Sequence, residues 1–145
     1  MMRLLIAFTI LFFSLLQRIN MNLLLDTHVL IWVFENSDKI SNTTKDVIIN
    51  GRNMVFVSSA SVWEMSIKKA MGKLIFPDNL LEEIKLHRFT LLDINYEHAQ
   101  LAGELPQIHK DPFDRMLVAQ AITEKLTLVT NDRYISEYNV KILKT

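Results

Sequence analysis

The chain has 145 residues, half of them hydrophobic, 16 basic and 16 acidic side chains, and no cysteine. Such a length suits one domain with a substantial core, and so apolar a composition excludes a disordered chain. Zero net charge leaves no whole-molecule field to attract nucleic acid, only room for a local basic patch, and the missing cysteines exclude a disulfide framework and thiolate-bound zinc.

The first twenty residues differ from the rest. Met1 to Arg3 is short and basic, and Leu4 to Leu16 is an apolar run too short to span a bilayer comfortably. It resembles the core of a signal peptide, yet Leu16-Gln17-Arg18-Ile19-Asn20 holds no small-residue cleavage site. Three readings compete: a start codon placed upstream of the true one at Met21, an uncleaved membrane anchor, or a secretory signal. The motifs begin directly after Met21, which favours the first. The expected organisation is a leader over 1–20 and one domain over 21–145, in the cytoplasm; a membrane enters only if the leader is real.

Leu23-Leu24-Leu25, stopped by Asp26-Thr27, reads as a buried strand. Short helices are expected over His28–Glu35 and Ser41–Asn50, with a turn at Gly51-Arg52-Asn53. Met54 to Val57 is a second strand, and a serine-capped helix follows from Ser58 to Met71, ended by Gly72. Pro77-Asp78 restarts a helix to about His87, Phe89 to Ile94 is a third strand, and another helix runs from Tyr96 to about Leu105. Asp111-Pro112 opens a helix with a cap residue and a first-turn proline, running to about Lys125. Leu126 to Thr130 is a fourth strand and Val140 to Leu143 a fifth. Buried strands alternating with helices predict an open, mostly parallel α/β sheet covered on both faces. Folds of this class bind ligands beyond the carboxyl ends of their strands, where Asp26, Ser58 and Asp132 fall.

Two acids stand where a soluble helix normally places apolar residues. Glu64 shares a helical stripe with Ala60, Trp63, Ile67 and Met71, and Asp114 heads the stripe of Leu117, Val118 and Ala121. Both carboxylates are expected to face inward, which is costly without compensating charge. Each acid alone has a plain alternative: Glu64 pairing with Lys68, Asp114 supporting a helix start, Asp26 as a cap, Asp132 as a turn residue. Together these alternatives do not explain why acids from distant parts of the chain head for one sheet end. Carboxylates that converge raise one another's pKa unless a cation intervenes, and an oxygen-only cluster suits Mg²⁺ or Mn²⁺. His28, His87, His98 and His109 show no metal-binding spacing, so zinc hydrolysis is disfavoured; His28 and His109 are read as structural.

The segments Leu-Leu-Leu-Asp26-Thr27-His28, Val-Ser-Ser-Ala-Ser-Val-Trp-Glu64, His109-Lys-Asp-Pro-Phe-Asp114-Arg and Leu-Thr-Leu-Val-Thr130-Asn-Asp132 resemble, in order and spacing, the PIN-domain family. More narrowly they resemble its VapC-type toxin ribonucleases, over essentially all of 22–145. The resemblance implies a PIN-like three-layer α/β/α fold with a central, mostly parallel sheet of four to five strands, and metal-dependent endoribonuclease activity. It implies Asp26 and Asp114 as principal metal ligands, with Glu64 and Asp132 completing the acidic cluster. Thr130 would hold a water or phosphate. Asp111 is assigned the cap of its helix. Arg115 is expected either against phosphate or on the surface. It further implies a cognate antitoxin and a homodimer.

The expected chemistry is hydrolysis of an RNA phosphodiester by a water that the metal positions and Glu64 or Asp132 orients or deprotonates. Lys68, Lys69, Lys73, Lys110 and Arg115 are candidate substrate-side cations. The rival is a non-catalytic, PIN-like protein- or RNA-binding module, against which the intact acid set counts. A nucleotide-binding domain has little support, because Gly51, Gly72 and Gly103 draw neither a dinucleotide fingerprint nor a P-loop. A receiver-type signalling domain would need a lysine after a late strand, and none is placed there.

Overall fold

A computed structural model describes residues 1–18, 20–76 and 78–145. Ile19 of the leader and Pro77, the expected helix start, lie outside the described residues. Five strands, β1 (Asn22–Leu25), β2 (Met54–Ser58), β3 (Thr90–Leu92), β4 (Thr127–Thr130) and β5 (Ile142–Lys144), form one sheet in the order β3-β2-β1-β4-β5. Every pairing is parallel.

The helices are α1 (Met2–Arg18), α2 (Thr27–Phe34), α3 (Asn42–Ile49), α4 (Ser59–Ala70), α5 (Leu80–Leu86), α6 (Tyr96–Glu104) and α7 (Pro112–Glu124), with a 3-10 turn at Ile135–Glu137. Strand periodicity divides the core between the two sheet faces. Leu23, Leu25, Val55, Val57 and Val129 point to one side, where they pack with residues of α2, α3, α4 and α5. Leu24, Phe56 and Leu128 point to the other, beneath α6, α7 and the 3-10 turn. This is the expected three-layer α/β/α, PIN-like architecture.

Side-chain caps set several helix starts. Asp26, Ser41, Ser58, Asn95 and Asp111 each accept a backbone N–H at the first turn of the helix that follows. Gly72, at φ 69°, turns the chain just beyond α4.

The strand order places the site. From β1 the chain builds outward through β2 and β3, then crosses to the opposite side of β1 for β4 and β5. The carboxyl ends of β1 and β4 therefore adjoin at the point where the winding reverses, a position that leaves a crevice open to ligands. Their register sets Leu25 beside Val129, so Asp26 and Thr130 follow side by side. The Asp26 amide donates to the Val129 carbonyl at 3.0 Å.

The leader is a helix with Leu4, Leu5, Ile6, Phe8, Leu11 and Phe12 exposed. Among the described residues no helix is long and apolar enough to cross a membrane.

Candidate active site

Asp26, one residue past β1, is only 3% exposed. Its Oδ1 accepts the His28 amide at 2.9 Å, capping α2, and its Oδ2 accepts the Thr130 hydroxyl at 2.6 Å. The Thr130 oxygen accepts in turn the Asp132 amide at 3.0 Å. One hydroxyl thus ties the carboxylate after β1 to the loop after β4. The Thr130 proton, expected on a water or phosphate, is given instead to Asp26, which leaves the hydroxyl one lone pair besides the one that meets the Asp132 amide.

Asp132 is held by the loop it starts, its Oδ1 accepting the Tyr134 and Ile135 amides at 2.7 and 3.1 Å. Its Oδ2 faces His109 Nε2 at 3.1 Å, and the same nitrogen lies 3.0 Å from Asp114 Oδ2. These ligand-capable atoms of His109, Asp114 and Asp132 all lie within 4.8 Å of one another. The His109 tautomer follows from its other nitrogen. Nδ1 accepts the Asp111 amide at 3.1 Å, which needs a lone pair there and places the ring proton on Nε2. His109 is therefore a donor between two carboxylates. To ligate a metal through Nε2 it would have to surrender both that proton and the hydrogen bond from Asp111. Sequence reasoning read His109 as structural and missed this bridge; its position five residues before Asp114, ahead of a helix cap, was the available signal.

Glu64 is 5% exposed. Its Oε2 pairs with Lys68 Nζ at 2.9 Å, one turn along α4, while its Oε1 is buried with no hydrogen-bond partner among the described residues. Lys68 thus lies where the simple helix-pair reading placed it, but on a carboxylate turned inward. The expected stripe is corrected. The buried positions of α4 are Ala60, Ser61, Glu64 and Met65, whereas Trp63, Ile67 and Met71 are exposed.

Asp114, in the first turn of α7, is mostly buried and its pKa is pushed up to about 7. Burial is the largest cause, followed by the negative charges of Asp26 and Asp111 and, more weakly, Glu64; His109 works in the opposite direction. Asp132 moves the other way: burial raises its pKa, but the hydrogen bonds from His109 and from the Ile135 and Tyr134 amides outweigh it and hold the carboxyl below its ordinary value. The four acids predicted from the sequence are thus gathered at one sheet end, each within hydrogen-bonding or electrostatic reach of another. Asp111 caps α7 through the Phe113 and Asp114 amides and adds a fifth negative charge behind them.

Arg115 meets neither expectation. It is 8% exposed, and its guanidinium donates to the carbonyls of Ala102, Leu105 and Pro106 at 2.8 to 3.0 Å and approaches the Tyr138 hydroxyl at 3.3 Å. Its Nη1 and Nη2 groups fasten the end of α6 to α7. Lys69 is paired with Asp78.

A family model described as the PIN domain matches residues 23–141. The chain belongs to the PIN-domain family. PIN domains are generally nucleases, which fits a buried acidic cluster at a strand-end crevice. Sequence comparison with curated proteins finds no match. Among solved structures, this PIN domain is similar to VapBC2 from Rickettsia felis bound to a promoter DNA fragment, with 19% identity, 86% of this chain and 99% of that chain covered, and a TM-score of 0.64. It is also similar to DNA-bound VapBC from Salmonella typhimurium, with 21% identity, 86% and 98% covered, and a TM-score of 0.62. A toxin-antitoxin complex from Klebsiella pneumoniae matches at 20% identity, 83% and 94% coverage and a TM-score of 0.58. At these identities the likeness is one of fold.

The acid set fits a hard divalent cation. A buried Glu64 oxygen has no partner among the described residues, and Asp114 is pushed toward protonation by burial and then by the neighbouring carboxylates, a strain that a divalent cation would relieve. With His109 committed as a donor, the available donors are oxygens.

Proposed function

We propose that this PIN domain, over residues 21–145, is a metal-dependent endoribonuclease that hydrolyses RNA phosphodiester bonds, and the toxin of a VapBC-type toxin–antitoxin pair. The observation that carries the reading is the under-neutralised acid cluster at the β1–β4 crevice, with Glu64 Oε1 unpartnered and Asp114 pushed to about 7. A scaffold kept for binding alone gains nothing from burying such charge.

Asp26 and Asp114 would hold the cation, with Glu64 and Asp132 completing its shell; an oxygen-only set suits Mg²⁺ or Mn²⁺. When bound, the cation supplies neutralising charge for the scissile phosphate and acidifies a nearby water. The protein's own groups do the rest. Thr130 fixes the orientation of Asp26, and His109 fixes those of Asp114 and Asp132. Glu64, anchored through Oε2 by Lys68, leaves Oε1 for the cation or its water, and whichever of Glu64 and Asp132 reaches the shell only through water would orient or deprotonate the attacking water. The water oxygen bonds to phosphorus, the bond from phosphorus to the leaving oxygen breaks, and that oxygen takes up a proton. Lys73 and Lys110, which carry no ion pair among the described residues, are the cations free to meet flanking phosphates.

The likeness to toxin–antitoxin complexes supports an antitoxin partner; on this reading the antitoxin would insert a segment into or near the acidic site, and the protein would act as a homodimer in the cytoplasm. Purified protein is expected to cleave RNA only with added Mg²⁺ or Mn²⁺, and Asp26→Asn to abolish cleavage. Equal cleavage by the variant would assign the activity to a contaminant. RNA binding without metal-stimulated cleavage would instead identify a binding module. In cells, expression is expected to arrest growth, and Asp114→Asn to relieve the arrest.

A further inference from the structure

Beside the acids lies an aromatic pair that the hydrolysis does not use. Trp63 immediately precedes Glu64 on α4, and its side chain is 61% exposed. Phe113 immediately precedes Asp114 on α7. The two rings meet edge to face, centroids 5.2 Å apart and planes at 75°. The two helices that deliver the Glu64 and Asp114 carboxylates therefore also deliver the ring pair, Trp63 one residue before Glu64 and Phe113 one residue before Asp114. An edge-to-face contact of this kind fixes a ring without covering its faces.

A single exposed apolar residue needs no explanation, but this one has a defined setting. Trp63 walls a cavity of about 480 Å³ that also takes in Ser59, Ser66, Leu81 and Leu91. That volume lies in the range of small-ligand clefts. A flat aromatic face and an apolar wall match the π-face of a nucleobase, and the margin offers acceptors to its polar edge: the Ser59 and Ser66 oxygens, whose protons go to Asp93 and the Val62 carbonyl, and the Asp78 carboxylate paired with Lys69.

We propose that Trp63, braced by Phe113, is a stacking platform for an unpaired nucleobase adjoining the scissile phosphate. The placement of that phosphate rests on the nuclease reading above; the platform itself does not. A base stacked on Trp63 has to be out of a duplex, so the platform discriminates against a paired nucleotide at this position. Stacking is tolerant of base identity, so the platform selects unpaired over paired nucleotides more than one base over another.

Trp63 shares the chain's tryptophan emission with Trp32 alone, so Trp32→Phe isolates it. That protein is titrated in EDTA with an unstructured, end-labelled ribo-oligonucleotide and, separately, with the same strand in a duplex. Label anisotropy reads binding and indole emission reads stacking. The single strand is expected to bind and quench Trp63, and the duplex to leave the emission unchanged. In the natural background, Trp63→Ala should weaken single-strand binding by about 5- to 100-fold and Trp63→Phe should restore most of it. An abasic nucleotide walked along the strand should weaken binding at one position with Trp63 present and at none in Trp63→Ala. Unchanged emission at saturation, equal binding by Trp63→Ala, or no binding of any single strand overturns the platform. So does a change of oligomeric state in Trp63→Ala with RNA binding intact, which would make the ring a protein contact. Quenching without metal-dependent cleavage sinks the nuclease reading and leaves the platform; cleavage without quenching does the reverse.

Discussion

The carboxyl of Asp114 carries a cost that pH exposes. Its folded-state pKa of about 7 lies above the ordinary 3.8, so the native state retains a proton that the unfolded chain releases. The linkage sign follows: this contribution to stability is whole below the ordinary value and is lost as pH rises toward 7, at up to roughly 1.4 kcal/mol per pH unit. Urea melts in EDTA should show stability falling between pH 4 and pH 7, and Mn²⁺ should reverse the loss. Asp114→Asn should stabilise the metal-free protein at pH 8 by about 1 kcal/mol or more, with little effect at pH 4, while abolishing cleavage. A variant destabilised at both pH values would contradict this account. Thr130 gives the complementary case, since its hydroxyl orients Asp26 from behind. Thr130→Val should lower Mn²⁺ affinity about 10- to 100-fold by calorimetry, and Thr130→Ser should keep most of it. At this scale Glu64 and Asp114 were legible as acids on apolar helical stripes, and Asp26 and Asp132 as acids just beyond strand ends. His109 was not, because its role lies in a bridge between carboxylates 5 and 23 positions away, a relation that no local spacing encodes.

Among the elements, the α6–α7 connection depends on one guanidinium. Arg115 satisfies the carbonyls of Ala102, Leu105 and Pro106, groups that the end of a helix leaves without intrahelical donors. Lysine offers three donors on a flexible stem and cannot reproduce the planar fork. Arg115→Lys should therefore cost about 2–4 kcal/mol in urea melts, with buried carbonyls left unsatisfied, and amide exchange should quicken over 102–109. No loss of stability would mean that water replaces the clasp. Beyond the leader, sequence reading placed each strand and α-helix within a few residues because the strands alternate between two cores, Leu23 and Leu25 against Leu24; it assigned no helix to 2–18 and no 3-10 turn to 135–137. It misjudged α4, where two faces compete. The apolar Trp63–Ile67–Met71 stripe looked like the core face, but the helix packs through smaller residues, Ala60 and Ser61, together with Met65. Small side chains admit close packing without advertising it in hydropathy, and the same face carries Glu64 inward.

In the molecule as a whole, the family match begins at residue 23 and both core clusters draw on residues beyond the leader helix. Met21 is already fixed to the body, its amide donating to Asn53 Oδ1 at 2.9 Å. Residues 21–145 are therefore expected to fold alone and to melt within a few degrees of the full chain by circular dichroism. A large drop in melting temperature would show that the α1 helix contributes to the core.

The reversal of winding at β1 has an effect on breathing motions. The edge strands β3 and β5 are only three residues long, whereas the pair carrying Asp26 and Thr130 is enclosed between neighbours. Fraying from either margin reaches Asp26 and Thr130 last. An ion seated there would accordingly slow deuterium uptake across every globally exchanging amide together, rather than quieting one loop.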